Sequence, residues 1–180
     1  MPSKSAKILL TGLPGCGKTT AVMKVIADMD RRKIAGFYTE EIRKDGVRKG
    51  FRWMRLDGVS GILSHVDIKS PAKVGKYGVD VAGFEKSVVP ILDIEQVDAE
   101  LFVLDEIGKM ECLSDKFVAA AHGLFASDRS VLATVARKGS GLIYEVKNHP
   151  ETRLYNLTRQ NRAEVIAEIS EMLTFLRKPL

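Results

Sequence analysis

A three-layer α/β/α sandwich on a mostly parallel sheet is the fold this sequence predicts, and three observations carry the prediction. From residue 101 onward, short β-type runs alternate with helical runs, the order that makes neighbouring strands parallel. Runs such as Leu101–Leu104 are apolar at every position rather than every second one, as a sheet covered on both faces requires. The chain has 180 residues, 45% of them hydrophobic and 28% charged, which suits one domain over 1–180 with a real core.

The elements follow in order. Lys7–Thr11 reads as a strand ending at Gly12, and Thr19–Arg32 as a helix, with Val22, Val25, Ile26 and Met29 at helical spacing. Gly36–Arg55 reads as a β-hairpin inserted after that helix, split at Asp45-Gly46, a dipeptide suited to positive φ. Short strands are expected at Val59–Leu63 and Gly78–Val81, then a helix over 84–97 disturbed by Pro90. The regular half follows: strand Leu101–Leu104, helix Ser114–Phe125, strand Ser130–Val135, short helix Leu142–Lys147, strand Arg153–Leu157 and helix Asn161–Leu176.

Composition excludes several classes. The balance of apolar and charged residues is that of a folded protein rather than a disordered one. No window approaches the roughly 20 apolar residues of a membrane span, and Met1-Pro2-Ser3-Lys4 lacks a signal peptide's apolar stretch, so no membrane partner and a cytoplasmic location are expected. Cys16 and Cys112 lie far apart and read as free thiols. His65, His122 and His149 show no metal-ligand spacing. The net charge is +5, and residues 31–60 hold nine Lys or Arg against four Asp or Glu, so the whole excess is local. Charge of that kind admits a polyanionic partner, nucleic acid included.

Gly12-Leu-Pro-Gly-Cys-Gly-Lys-Thr19 fits G-x-x-x-x-G-K-[ST] and lies between a strand and a helix, where that motif has its physical meaning. The glycines let backbone N–H groups turn around phosphate oxygens and the helix adds its positive end. Lys18 is expected on the β and γ phosphates and the Thr19 hydroxyl on Mg²⁺, which makes a nucleoside triphosphate the expected ligand and Mg²⁺ the cofactor. Leu101-Phe-Val-Leu-Asp-Glu106 is an apolar strand ending in two acids at the sheet's carboxyl edge. Asp105 is expected to hold Mg²⁺ with Thr19, and Glu106 to orient the attacking water.

Asp105-Glu-Ile-Gly108 also parses as the D-x-x-G element of a regulatory GTPase. The N-K-x-D guanine reader of such proteins is missing, the nearest segment being Lys147-Asn148-His149-Pro150. A loop that grips phosphates without a dedicated base reader should accept several bases.

These segments together resemble the small nucleoside-triphosphatases of archaea and hyperthermophilic bacteria, a family similar to the vertebrate cancer-related nucleoside-triphosphatase. The resemblance spans nearly the whole chain. It rests on Gly12-Leu-Pro-Gly-Cys-Gly-Lys-Thr-Thr20, Gly36-Phe-Tyr-Thr-Glu-Glu-Ile-Arg43 with Gly50-Phe51, Leu104-Asp-Glu-Ile-Gly-Lys-Met-Glu111, and Asn161-Arg162. It implies Mg²⁺-dependent hydrolysis of nucleoside triphosphates to diphosphates with broad base tolerance, on a P-loop fold that uses a catalytic glutamate. Nucleotide contacts are then expected from Gly12, Leu13, Pro14, Gly15, Cys16, Gly17, Lys18, Thr19 and Thr20, and from Leu104, Asp105, Glu106, Ile107 and Gly108, with Lys18 and Glu106 catalytic.

Other residues have weaker claims. Arg162 stands in a helix's first turn, where the dipole disfavours a cation, so contact with a phosphate or base would explain it. Asn161 with Glu164 reads as a capping box variant. Lys109 and Glu111 read equally as groups that reach the γ-phosphate or order the catalytic loop, and as a surface pair. Of Arg43, Arg48, Lys49, Arg52 and Arg55, most should be solvated and one could be an arginine finger. Phe51 and Trp53 read as hairpin packing. Two alternatives to a monomeric hydrolase stand beside it. One is a nucleotide or nucleoside kinase with residues 31–60 as an arginine-rich lid, which Glu106 beside Asp105 disfavours. The other is an NTP-regulated nucleic-acid-binding module, whose affinity would fall steeply with salt.

Overall fold

A computed structural model describes residues 5–175. The Met1–Lys4 segment and the expected helix end at Leu176 lie outside them. Fourteen regular elements follow in chain order: β1 (Lys7–Gly12), α1 (Lys18–Ile26), β2 (Ile34–Lys44), β3 (Val47–Arg55), β4 (Ser60–His65), β5 (Lys73–Val74), β6 (Tyr77–Val79), α2 (Val81–Ser87), β7 (Leu101–Ile107), α3 (Asp115–Ala126), β8 (Ser130–Val135), α4 (Leu142–Lys147), β9 (Thr152–Leu157) and α5 (Arg162–Phe175). The strands form one sheet in the order β5-β6-β4-β3-β2-β7-β8-β1-β9. From β2 to β9 every pairing is parallel, and β3, β4, β6 and β5 continue it as an antiparallel wing. The inserted hairpin is therefore part of the sheet. Asp45 and Gly46 both take positive φ, 51° and 75°, the turn that joins strands at their natural twist.

Alternation along the central strands builds two cores, one on each face. Leu9, Phe102, Leu104, Val131 and Ala133 face α2, α3 and α4. Ile8, Leu10, Val103 and Leu132 face α1 and α5. On the first face Phe37 of β2 meets Phe84 of α2 and Phe117 of α3 edge-on, at centroid distances of 5.5 and 6.0 Å. That trio ties the wing side of the sheet to its helical layer.

Three of the element boundaries that differ from the sequence reading have a clear local reason. The first helix ends at Ile26 instead of Arg32, because the Asp30 side chain accepts from the Arg32 N–H and starts a separate 3-10 turn, Arg31–Lys33. The strand expected to reach Val81 stops at Val79. Asp80 caps α2 there, accepting from the Gly83 N–H at 2.9 Å. The helix expected over 84–97 is α2 followed by a 3-10 turn at Val89–Leu92, since Pro90 cannot continue a helix but fits the first turn of a new one.

One buried cation was hidden in the first strand. Lys7 is 1% exposed, and its Nζ donates to the carbonyls of Leu124 at 2.8 Å, Ser127 at 2.9 Å and Arg129. Those carbonyls close α3, so the ammonium occupies the negative end of that helix. Burial lowers its pKa to about 8.

Candidate active site

The loop between β1 and α1 is shaped by three close approaches. A methyl group on Gly12 would collide with the Leu157 carbonyl oxygen at 2.5 Å and with Cys16 Sγ at 2.8 Å. The Cys16 N–H closes a turn onto the Leu13 carbonyl at 3.2 Å. That leaves Leu13, Pro14 and Gly15 as an exposed crest over the buried Cys16. Gly17, the residue before α1, is left-handed at φ 96° and ψ 33°, a conformation glycine adopts without penalty. No side chain caps α1 and no acid stands in its first turn, so its leading N–H groups are offered to an anion. Thr20 is exposed beside them.

Asp105 and Glu106 lie just before the last residue of β7, where the β7–β8 pairing shifts register between Leu104 and Ile107, and the peptide bond joining them is cis. Asp105 is 1% exposed. The Thr134 hydroxyl of β8 donates to its Oδ1, while its Oδ2 has no hydrogen-bond partner. Burial raises its pKa, opposed by the Thr134 and Thr19 hydroxyls, the Lys18 charge and the Thr39 N–H. Glu106 is raised for the same first reason, with Lys18 and Lys147 favouring its ionised form and Asp105 opposing it. Lys18 thus acts on both carboxylates, while its Nζ donates to the Gly12 carbonyl at 3.3 Å.

The orphaned Oδ2 is the observation that tests a cation here. A buried carboxylate oxygen with no donor is costly unless something positive meets it. The Thr19 hydroxyl lies on the same carboxylate. Among the described residues no group of three or more His, Cys, Asp or Glu gathers that could hold a metal ion. One carboxylate and one hydroxyl are too few to cage an ion alone, but they suit Mg²⁺, which keeps waters and takes its other ligands from substrate phosphates. The donors fit that ion.

Arg162, the first residue of α5, lays its guanidinium against the bare Cα of Gly17, with its Cδ at 3.1 Å from where a Cβ would stand. It is therefore on the phosphate loop. Arg43 is elsewhere, with Nε on Glu41 at 2.7 Å and Nη1 on the Gly46 carbonyl at 2.7 Å. Arg48 also pairs with Glu41, and Arg55 with Asp57. With Arg32 on Asp30 and Lys33 on Glu100, much of the basic excess is matched by neighbouring carboxylates. Phe51 packs edge-on against Tyr77 and Trp53 is 4% exposed, as hairpin packing requires.

Two side readings need correction. Asn161 turns backward, its Oδ1 accepting from the Thr158 N–H and its Nδ2 donating to the Asn156 carbonyl, so it fastens the loop before α5. Glu111 is no surface residue: it is 5% exposed behind Gly108, whereas Lys109 is exposed. The sequence reading passed over Thr134 and Lys147. Thr134 is a hydroxyl near the end of β8, a strand whose only other polar residue is Ser130 at its start. Lys147 anchors the loop after β8 through the carbonyls of Ala136 and Arg137, at 2.5 and 2.8 Å.

A family model described as NTPase matches residues 7–170 of this sequence. The chain belongs to that family. A relative from a Thermotoga species, named nucleoside-triphosphatase THEP1, is 40% identical over 95% of this chain and 97% of its own. The crystal structure of THEP1 from Aquifex aeolicus superposes with a TM-score of 0.84 at 34% identity, covering 96% of this chain and 99% of that one. The solution structure of a human cancer-related nucleoside triphosphatase gives 0.80 at 33% identity, covering 97% and 100%. The family's fold is thus this fold, antiparallel wing included in the coverage. Among the described residues no helix is long and apolar enough to cross a membrane.

Proposed function

We infer that this member of a nucleoside-triphosphatase family hydrolyses nucleoside 5'-triphosphates to the diphosphate and phosphate, with Mg²⁺ and with broad tolerance of the base. The observation that carries the reading is the convergence of Lys18, Thr19 and Thr134 on the buried Asp105, beside the start of α1, which no side chain caps. Lys18 and the loop N–H groups would hold the β and γ phosphates. Asp105 Oδ2 and the Thr19 hydroxyl would hold the cation, which when bound offsets charge on the phosphate oxygens. Glu106 would accept a proton from water as the water oxygen bonds to the γ-phosphorus and the bond to the β–γ bridging oxygen breaks.

The hairpin supports hydrolysis over transfer to a second substrate. Of residues 31–60, those from 34 to 55 lie in the sheet as β2 and β3 with Arg43, Arg48 and Arg55 engaged with carboxylates, which favours a sheet wing over an arginine-rich lid. Phosphate release from ATP, GTP, CTP and UTP, with and without Mg²⁺ and without an acceptor, tests the reading. All four should be hydrolysed, with kcat/KM values within about a hundredfold, or roughly 2.7 kcal/mol. A strict requirement for an acceptor nucleoside would replace hydrolase with kinase, and a larger spread would contradict base tolerance.

A further inference from the structure

Glu111 is a buried carboxyl that the reaction as described leaves without a task. It opens the 3-10 turn Glu111–Leu113, which comes three residues after β7 and leads into α3. That segment is fixed at both ends. The Cys112 N–H donates to the Gly108 carbonyl at 3.0 Å, and the Ser114 N–H to the Glu111 carbonyl at 3.1 Å. Ser114 then caps α3 by accepting from the Phe117 N–H, while its hydroxyl donates to Glu85 of α2 at 2.8 Å. Glu111 therefore sits on a braced turn between β7, α2 and α3.

The side chain points back toward the end of β7. A methyl group on the Gly108 Cα would lie 2.8 Å from Glu111 Oε2 and 2.9 Å from Glu106 Oε1, with Glu106 Cγ at 3.5 Å. Two carboxyl groups from different parts of the chain thus close on the same bare Cα, from which any side chain would displace them. The charges that bear on Glu111 are those of Glu106 and Asp105, both repulsive, opposed by the N–H groups of Gly108 and of Glu111 itself. Glu85, on the neighbouring helix, is engaged by Ser114 and Lys116, and Cys112 beside it is a thiol pushed up to about 12 by burial. A carboxyl so enclosed is held in its neutral form near pH 7, able to stand beside an ionised neighbour without repelling it.

We propose that Glu111 is a positioning residue for hydrolysis, whose buried carboxyl, seated with that of Glu106 against the bare Cα of Gly108, fixes the direction in which Glu106 meets the attacking water. This rests on the proposed role of Glu106. Its expected signature is in turnover and not in substrate binding, because Glu111 is proposed to act through Glu106.

Steady-state hydrolysis of Mg²⁺-ATP by Glu111→Ala, Glu111→Gln and Glu106→Gln, singly and combined, tests it. Glu111→Ala should lower kcat by at least about tenfold while KM changes less than about threefold, the split expected when only transition-state geometry is lost. Glu111→Gln, neutral and of the same shape, should restore most of that loss. In a Glu106→Gln background Glu111→Ala should change the residual rate by less than about twofold, since a residue acting through another adds nothing once that other is disabled. A wild-type kcat in Glu111→Ala overturns the proposal. So does a change confined to KM, or a full further loss in the Glu106→Gln background. Should Glu111→Ala fail to fold, Glu111→Asp, whose carboxyl is withdrawn from Gly108 by one methylene, must lower kcat with KM changed less than about threefold. If Glu106→Gln alone turns over like the wild type, the assignment of Glu106 fails instead.

Discussion

The Thr134 hydroxyl on β8 donates to Asp105 Oδ1 on β7, and that bond leaves the other oxygen of the same carboxylate, Oδ2, buried and without a partner. One oxygen orients the group and the other is left for a ligand. Thr134→Val keeps the shape and removes the donor. Without nucleotide it should destabilise the fold by about 1–3 kcal/mol in urea titrations, the cost of a buried acceptor losing its partner. The Mg²⁺ concentration needed for half-maximal hydrolysis should also rise, because the carboxylate is no longer aimed. Unchanged stability together with an unchanged Mg²⁺ requirement would refute this role.

Grip and chemistry separate by residue. Lys18→Ala removes a charge-assisted contact worth about 3 kcal/mol and should weaken nucleotide binding by about a hundredfold. Glu106→Gln should leave binding within a few fold and lower kcat by at least about a hundredfold, the usual contribution of a general base. Fluorescent-nucleotide titration alongside phosphate release distinguishes the two.

Arg162 covers Gly17, and a cation there would meet phosphate held by the loop. Arg162→Ala should raise KM about tenfold, and by a similar factor for ATP, GTP, CTP and UTP, since a contact to phosphate carries no base information. A factor that differs strongly among the four would place the guanidinium on the base instead.

Lys7 bears on stability alone. Lys7→Met keeps the stem but abandons three carbonyls at the end of α3. The loss should be about 2–4 kcal/mol by urea unfolding, with KM unchanged once the protein is folded. A loss of nucleotide affinity without a loss of stability would contradict that.

Glu111 predicts a pH dependence with a definite sign. Its carboxyl is raised by burial from 4.5 to about 8, so between those values the folded chain binds the extra proton. The stabilisation is full below about pH 4.5 and is lost as pH rises through about 8, with a slope of up to about 1.4 kcal/mol per unit. Glu111→Gln lacks this slope. Unfolding without nucleotide should therefore show the variant gaining on the wild type between pH 5 and pH 8.5, and parallel profiles would count against the burial.

The legible part of the site was what the chain keeps contiguous. Gly12 to Thr19 and Leu101 to Glu106 each place a strand and its functional residues side by side in sequence, so motif and context were read together. Thr134, Lys7 and the interior position of Glu111 depend on which strands and turns become neighbours. No local pattern encodes that β8 lies between β7 and β1, or that the end of α3 comes to rest on the first residue of β1. The hairpin was readable from Asp45-Gly46 and its β-type flanks, but its membership in the sheet comes from the pairing of β2 with β7. The misplaced ends of the first helix and of the 84–97 segment share a cause. Apolar periodicity outlasts the helix where an aspartate offers the backbone a different partner or a proline removes a donor.

The strand order fixes one more quantity. Because β8 separates β1 from β7, the ends of the strand that leads into the glycine loop and of the strand that carries Asp105 and Glu106 stand two inter-strand spacings apart, roughly 9.5 Å. That span is imposed by backbone hydrogen bonds, so no rotamer change or loop rearrangement can narrow it. The sheet sets how far apart the two strand ends stand, and the Lys18 and Thr19 side chains act on Asp105 across that gap.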